Sequence, residues 1–137
     1  MFASFKVMTV DLASLHSTVR TILLGVSEEV RAGYFAAGVD PADGALKPGA
    51  DLAGAGLSYR KLCGADLRGS CLIAADLRGS DLAGADLLGA DLRDARLDGA
   101  DLTAALFLTQ PQLNSARGNR RTHLPPALTA PPHWSEE

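Results

Sequence analysis

From position 50 to position 109 a large apolar residue returns every fifth place. The series is Leu52, Leu57, Leu62, Leu67, Leu72, Leu77, Leu82, Leu87, Leu92, Leu97 and Leu102, with Phe107 in the twelfth unit. Neither regular element has that period. Five residues of α-helix turn through about 500°, so successive leucines step about 140° around the axis and form no stripe. In a strand an odd period sends the side chain to opposite faces in turn. A bend in every unit is therefore required.

Aligned in fives from Ala50, the other positions sort themselves. The first is Ala or Ser in eleven of twelve units, Arg60 being the exception, so one large and one small residue per unit are restricted. Restriction marks the inside and variation the outside. Gly at the fifth position, in seven units, permits positive φ at the bend, and Asp at the second, also in seven, is suited to bond the backbone of a turn. These twelve inward residues, Leu52 to Phe107, form the expected core.

The pattern A-D-L-x-x closely resembles the pentapeptide-repeat proteins, and the resemblance runs without a gap over 50–109. It implies an all-β solenoid, a right-handed quadrilateral β-helix with four units per square coil. Twelve units then make three coils, on the order of 15 Å tall at a strand spacing of about 4.8 Å. Outward residues twenty positions apart should stack, putting Asp76 on Arg96, Arg78 on Asp98 and Lys61 on Asp81, but also the like charges Asp66 on Asp86 and Asp81 on Asp101.

The flanks read as caps, giving three segments: a helical cap over 1–49, the repeat block over 50–109, and a capping helix with a Pro-rich strap over 110–137. Leu12, Leu15, Val19, Ile22, Leu23 and Val26 fall at helical spacing. Ser27 before Glu28 and Glu29 reads as a fresh N-cap, so the expectation is one helix from about Val10 to Leu24 and a second from Glu28 to Ala37, stopped by Gly38 and Pro41. Their apolar faces are expected to lid the first coil, and Arg60 to lean outward or meet an acid. Downstream, Thr109 and Gln112 bracket Pro111 as a capping box, with Gly118 closing a helix of about two turns and Leu113 plugging the last coil. The tail resembles one found after the repeats of many bacterial members. The "MFASFKVM" segment resembles an interior stretch of longer members, which makes this chain a candidate shortened form.

Composition narrows the function classes. The chain has 137 residues, a formal net charge of −3 and only 5% aromatic residues, so its core is built from small and aliphatic side chains without the basic balance of a nucleic-acid binder. Neither a membrane-length apolar run nor a leader pattern is present, and a cytoplasmic location is the expectation. Cys63 and Cys71 have no metal-site spacing and read as free thiols. The repeat aspartates follow the fold rather than a catalytic or calcium pattern. His16, His123 and His133 read as surface or packing residues, and Arg117, Arg120 and Arg121 as a solvated cluster. No catalytic residue, cofactor site or metal site is assigned.

Partner candidates come from exposure. Leu88, Leu106 and Leu108 fall on outward positions of one wall, and the lone Trp134 anchors the strap or meets a partner. The expected function is a non-catalytic structural and protein-interaction module whose partner is unknown or a second copy, with no direct contact to nucleic acid or membrane. The alternative, implied by resemblance to quinolone-resistance members that imitate B-form DNA, is a modulator of DNA gyrase. Arg78, Arg93 and Arg96 interrupt the continuous negative strip that alternative needs.

Overall fold

The structure is a computed structural model describing residues 11–36 and 44–134. The repeat block winds into a stack of square coils held by parallel bridges between residues twenty positions apart, as in Asp51 with Cys71, Asp66 with Asp86 and Asp86 with Leu106. The stacking pairs Asp76 with Arg96 and Lys61 with Asp81 are bridge partners, as are the like-charged Asp66 with Asp86 and Asp81 with Asp101. Each rung is short because each wall is short. Leu72 donates its N–H to the carbonyl of Asp91 at 2.8 Å, and Asp91 donates back to Ser70 at 2.9 Å.

Every unit then turns. Ala75 donates to the carbonyl of Leu72 at 3.1 Å, and the residue before it, Ala74, lies in the left-handed region at φ 57°. Glycine fills this place in most units because it takes that conformation without a steric cost. Tyr59, Ala74 and Asp94 occupy it at φ 57° as well, so the turn is imposed by the rungs above and below and not by glycine alone.

Leu52 through Leu102 are all buried, with the small first-position residues from Ala50 to Ala100 filling the corners. Arg60, the exception among them, is partly exposed. The coil begins one unit earlier than the alignment from Ala50 implies. Gly49 donates to Arg68 at 2.7 Å, Ala50 closes a turn onto Lys47 at 3.1 Å, and Leu46 packs against the core.

Phe107 departs from the expected core. It takes φ 61° and is only half-buried. The chain makes its last regular rung at Leu106, which donates to Ala85 at 2.8 Å, and must then leave the coil, so the left-handed residue comes early and the ring swings off the stack. Leu113, fully buried on the helix that follows, fills the end of the core instead.

Among the described residues two helices flank the solenoid. The first, α1, spans Leu12–Ala36 without interruption, where two shorter helices were expected. Asp11 starts it, its Oδ1 accepting from Ala13 at 3.0 Å and Ser14 at 3.3 Å. Ser27 is no cap but a buried mid-helix residue, whose hydroxyl accepts from Arg31 Nε at 3.1 Å. The expected boundaries at Val10, Ala37, Gly38 and Pro41 lie outside the described residues, as does the "MFASFKVM" segment.

The second helix, α2, spans Gln110–Ser115 with both halves of the Thr109/Gln112 capping box formed. It ends at Ser115, before Gly118, because the chain there rejoins the solenoid. Arg117 bridges Arg96 and His123 bridges Asp101, so the first part of the expected Pro-rich strap supplies walls of a further partial coil. Gln112 stands in for the wall that α2 replaces, donating from Nε2 to the carbonyls of Leu87 at 2.9 Å and Ala90 at 3.0 Å.

Candidate interaction surfaces

The repeat aspartates are occupied locally. All seven second-position residues, Asp51, Asp66, Asp76, Asp81, Asp86, Asp91 and Asp101, accept the N–H of the residue two places on. Where that residue is arginine the guanidinium folds back as well. Arg68 holds Asp66 at 2.8 and 2.7 Å, Arg78 holds Asp76 at 2.8 and 2.7 Å, and Arg93 reaches Asp91 at 3.0 and 2.8 Å. The hydrogen bond from Arg78 takes the Asp76 carboxyl down to about 2. The dominant ion pairs thus lie within units and not between coils. Asp-Leu-Arg, visible three times in the sequence, was the signal for them.

One wall is covered by α1, which lies along the side of the stack and not across its end. Tyr34 rests on Gly64 and Gly84, residues of the same corner on successive coils. Arg31 reaches Asp66 at 3.3 Å. A helix on the side can be continuous, since Leu23 and Leu24 face Leu88, Arg31 meets Asp66 and Tyr34 meets Gly64 and Gly84, all along one side of the stack. Beneath it Asp86 is fully buried. Its Oδ1 accepts from Leu88 N at 2.9 Å, while its Oδ2 has no hydrogen bond and stands 3.7 Å from Arg68 Nε.

A stripe beside the wall-facing side of α1 is bare. Leu12, Leu15, Val19, Ile22 and Val26 follow a 3-4-3-4 spacing and are 42–65% exposed. Between the helix and the wall runs a groove of about 350 Å³ lined by Leu15, His16, Val19, Arg20, Leu23 and Leu88.

The expected wall of exposed leucines is therefore not bare. Leu88 is half-buried beside α1, Leu106 is half-buried on its rung, and Leu108 packs against the core. The stripe on α1 replaces them as the exposed apolar surface. Its spacing was legible, but which face would meet the solenoid was not.

At the other end Trp134 is buried, its indole N–H donating to the carbonyl of Ala116 at 3.0 Å, and His133 Nε2 meets the same oxygen at 2.9 Å. The ring lies over Gly118, where a Cβ would stand 2.6 Å from it. Cys63 and Cys71 are both unpaired thiols. Burial pushes the Cys63 thiol up to about 11, with the Asp81 contact adding to it.

No described helix is long and apolar enough to cross a membrane. No curated protein matches the chain. A family model for pentapeptide repeats matches eight copies over residues 70–107. Among solved structures, the chain is similar to a pentapeptide repeat protein from Nostoc Pcc 7120, at 34% identity over 72% of this chain and 84% of that one, with a TM-score of 0.45. It is also similar to a pentapeptide repeat protein from the thylakoid lumen of Arabidopsis thaliana, at 27% identity over 61% of this chain, with a TM-score of 0.44; it spans about half, 52%, of that protein. With twelve contiguous units behind it, the chain belongs to the pentapeptide repeat proteins, and its solenoid is the right-handed β-helix that such repeats form.

Proposed function

We propose that the chain is a non-catalytic structural and protein-interaction module, working in a reducing compartment such as the cytoplasm. The observation that carries the reading is the apolar stripe of α1, Leu12 to Val26, left exposed beside the face that holds the helix to the solenoid. Such a stripe on a helix is read by a partner helix or groove. The repeat carboxylates support the same reading, because they are engaged in turns and arginine clamps instead of converging on a reactive point. The two unpaired thiols fit a reducing compartment.

The clamps also weigh against imitation of DNA. A B-form mimic needs carboxylates in series, and here Asp66, Asp76 and Asp91 each carry a guanidinium.

The test compares the wild-type chain with a Leu15→Glu, Ile22→Glu variant of equal thermal stability, by sedimentation for self-association and by quantitative capture from host extract. A dimer or a retained protein lost in the variant supports the module. A monomer with identical capture in both samples removes the stripe as an interface. Inhibition of gyrase supercoiling by both proteins alike would establish the alternative instead.

A further inference from the structure

A second surface, built from residues other than those of the α1 groove, carries its own chemistry. A cleft of about 570 Å³ opens between the last wall and the returning tail, lined among others by Asp94, Arg96, Asp98, Arg117, His133 and Trp134. Arg96 and Arg117 are bridge partners, one directly above the other on successive rungs. Rungs in a sheet stand about 4.8 Å apart, and like charges placed so are unfavourable unless something answers them. Asp76, on the rung before Arg96, offsets part of that charge, but its carboxylate is held by Arg78.

These two arginines sit where most other units carry aspartate. Arg96 is the second residue of its unit, and Arg117 pairs with it in the next rung. The tight clamp of Asp-Leu-Arg is consequently unavailable to them, since it depends on an aspartate fixed by the N–H two places on. In the reversed order Arg-Leu-Asp, Arg96 approaches Asp98 only to 4.0 Å, and Arg117 approaches Asp94 only to 3.6 Å. Both separations exceed hydrogen-bond length, so the acids offset charge without taking up the forked donors. Arg68, Arg78 and Arg93 by contrast make pairs of 2.7–2.8 Å. The far wall of the cleft is fixed, because Trp134 and His133 are both held by the carbonyl of Ala116.

We propose that this cleft binds a small oxyanion, a phosphate or carboxylate group, between the stacked guanidiniums of Arg96 and Arg117. A planar fork on each of two rungs suits an anion with several oxygens, which can accept from both at once. The anion would answer the like-charge stacking that no described residue answers within hydrogen-bond reach.

Trp134 is the only tryptophan in the chain and lines the cleft, so its emission reports on this place alone. The experiment titrates the full chain with inorganic phosphate, and separately with acetate, replacing chloride at constant ionic strength. A saturable change in emission is expected, with the apparent Kd raised at least tenfold by Arg96→Gln with Arg117→Gln and unchanged by Arg120→Gln. Amide shifts on the wild-type protein guard against a variant that does not fold: they should concentrate in 94–98, 115–118 and 133–134. A response to phosphate alone assigns a phosphate group, and a response to both assigns oxyanions generally. No saturable response at constant ionic strength overturns the site, as does an equal response from a folded double variant or shifts spread along the whole solenoid.

Discussion

The ring of Tyr34 lies directly on the Cα of Gly84, so close that any Cβ there would overlap it. One side chain of α1 thus uses the absence of another on the wall. Gly64, one coil away at the same corner, meets Tyr34 Cβ and the Arg31 carbonyl, so the pair of glycines forms a notch for the helix. The helix is located on the stack by this notch and by the Arg31–Asp66 contact at 3.3 Å.

Gly84 and Gly89 make a matched pair for testing that. Both have φ 68°, so alanine costs each the same backbone strain, on the order of 1 kcal/mol. Nothing lies within 4 Å of a Cβ built on Gly89, whereas Gly84 has the Tyr34 ring. Gly84→Ala should therefore lose about 1–3 kcal/mol more than Gly89→Ala in denaturant unfolding. The excess should vanish in a Tyr34→Ala background. Equal losses would mean that α1 is not seated on this notch.

The two glycines also show how far the sequence could be read. The period of five and the inward leucines follow from side-chain size, the twenty-residue register from the resemblance to pentapeptide-repeat proteins, and Leu52 to Leu102 lie inside accordingly. The capping box at Thr109 is equally local and equally plain. What the sequence hid depends on long-range placement. Ser27 looks like an N-cap, yet a helix continuous across it can set Leu23, Leu24, Arg31 and Tyr34 on one wall, and that packing outweighs a local signal of about 1 kcal/mol. Phe107 fails as a core residue for a similar reason, since the exit into α2 changes the turn before the stack can accept it. The candidate interface shifted with α1: Leu88 was outward by the repeat rule, and the helix then covered it.

Beneath α1 the charge arrangement makes Arg68 the pivot. It holds Asp66 at 2.7 Å and is the cation nearest the buried Asp86 Oδ2, at 3.7 Å. Those two acids stack on successive rungs. Arg68→Ala should cost roughly 3 kcal/mol, because it leaves a buried carboxylate without its counter-ion. Adding Asp86→Asn should recover a large part of that, since the amide oxygen still accepts from Leu88 N and no charge remains to be paired. A double-mutant cycle by chemical denaturation measures the coupling. Strict additivity would show that Asp86 does not depend on Arg68.

At the far end Gly118→Ala isolates the tail anchor. Gly118 is absent from the positive-φ residues, so alanine there adds no left-handed strain, only a Cβ 2.6 Å from the indole. The ring has to move, and the bond from Trp134 Nε1 to Ala116 at 3.0 Å is lost with it. The emission maximum of Trp134 should shift to the red while the solenoid's far-ultraviolet signal is kept. An unshifted maximum would mean that the tail can absorb the added methyl.

Acid should act through the clamps. Asp76 titrates at about 2 in the folded chain, against an ordinary 3.8, first because of the hydrogen bond from Arg78. Asp91 is lowered by the hydrogen bond from Arg93. For Asp66 burial pushes upward, but Arg68 and Arg31 together outweigh it. A carboxyl whose folded value is depressed binds its proton first in the unfolded chain, so its stabilisation is complete above the ordinary value and is lost as pH falls toward the folded one. Melting temperature should thus stay level from neutral pH down to about 5 and drop between about 4 and 2. Arg78→Ala removes the main cause of the Asp76 shift and should make that drop shallower, at the expense of a lower plateau. Because the pair is partly exposed, added salt should narrow the difference between variant and wild type. A drop of the same depth in Arg78→Ala at low salt would place the acid sensitivity elsewhere than in this clamp.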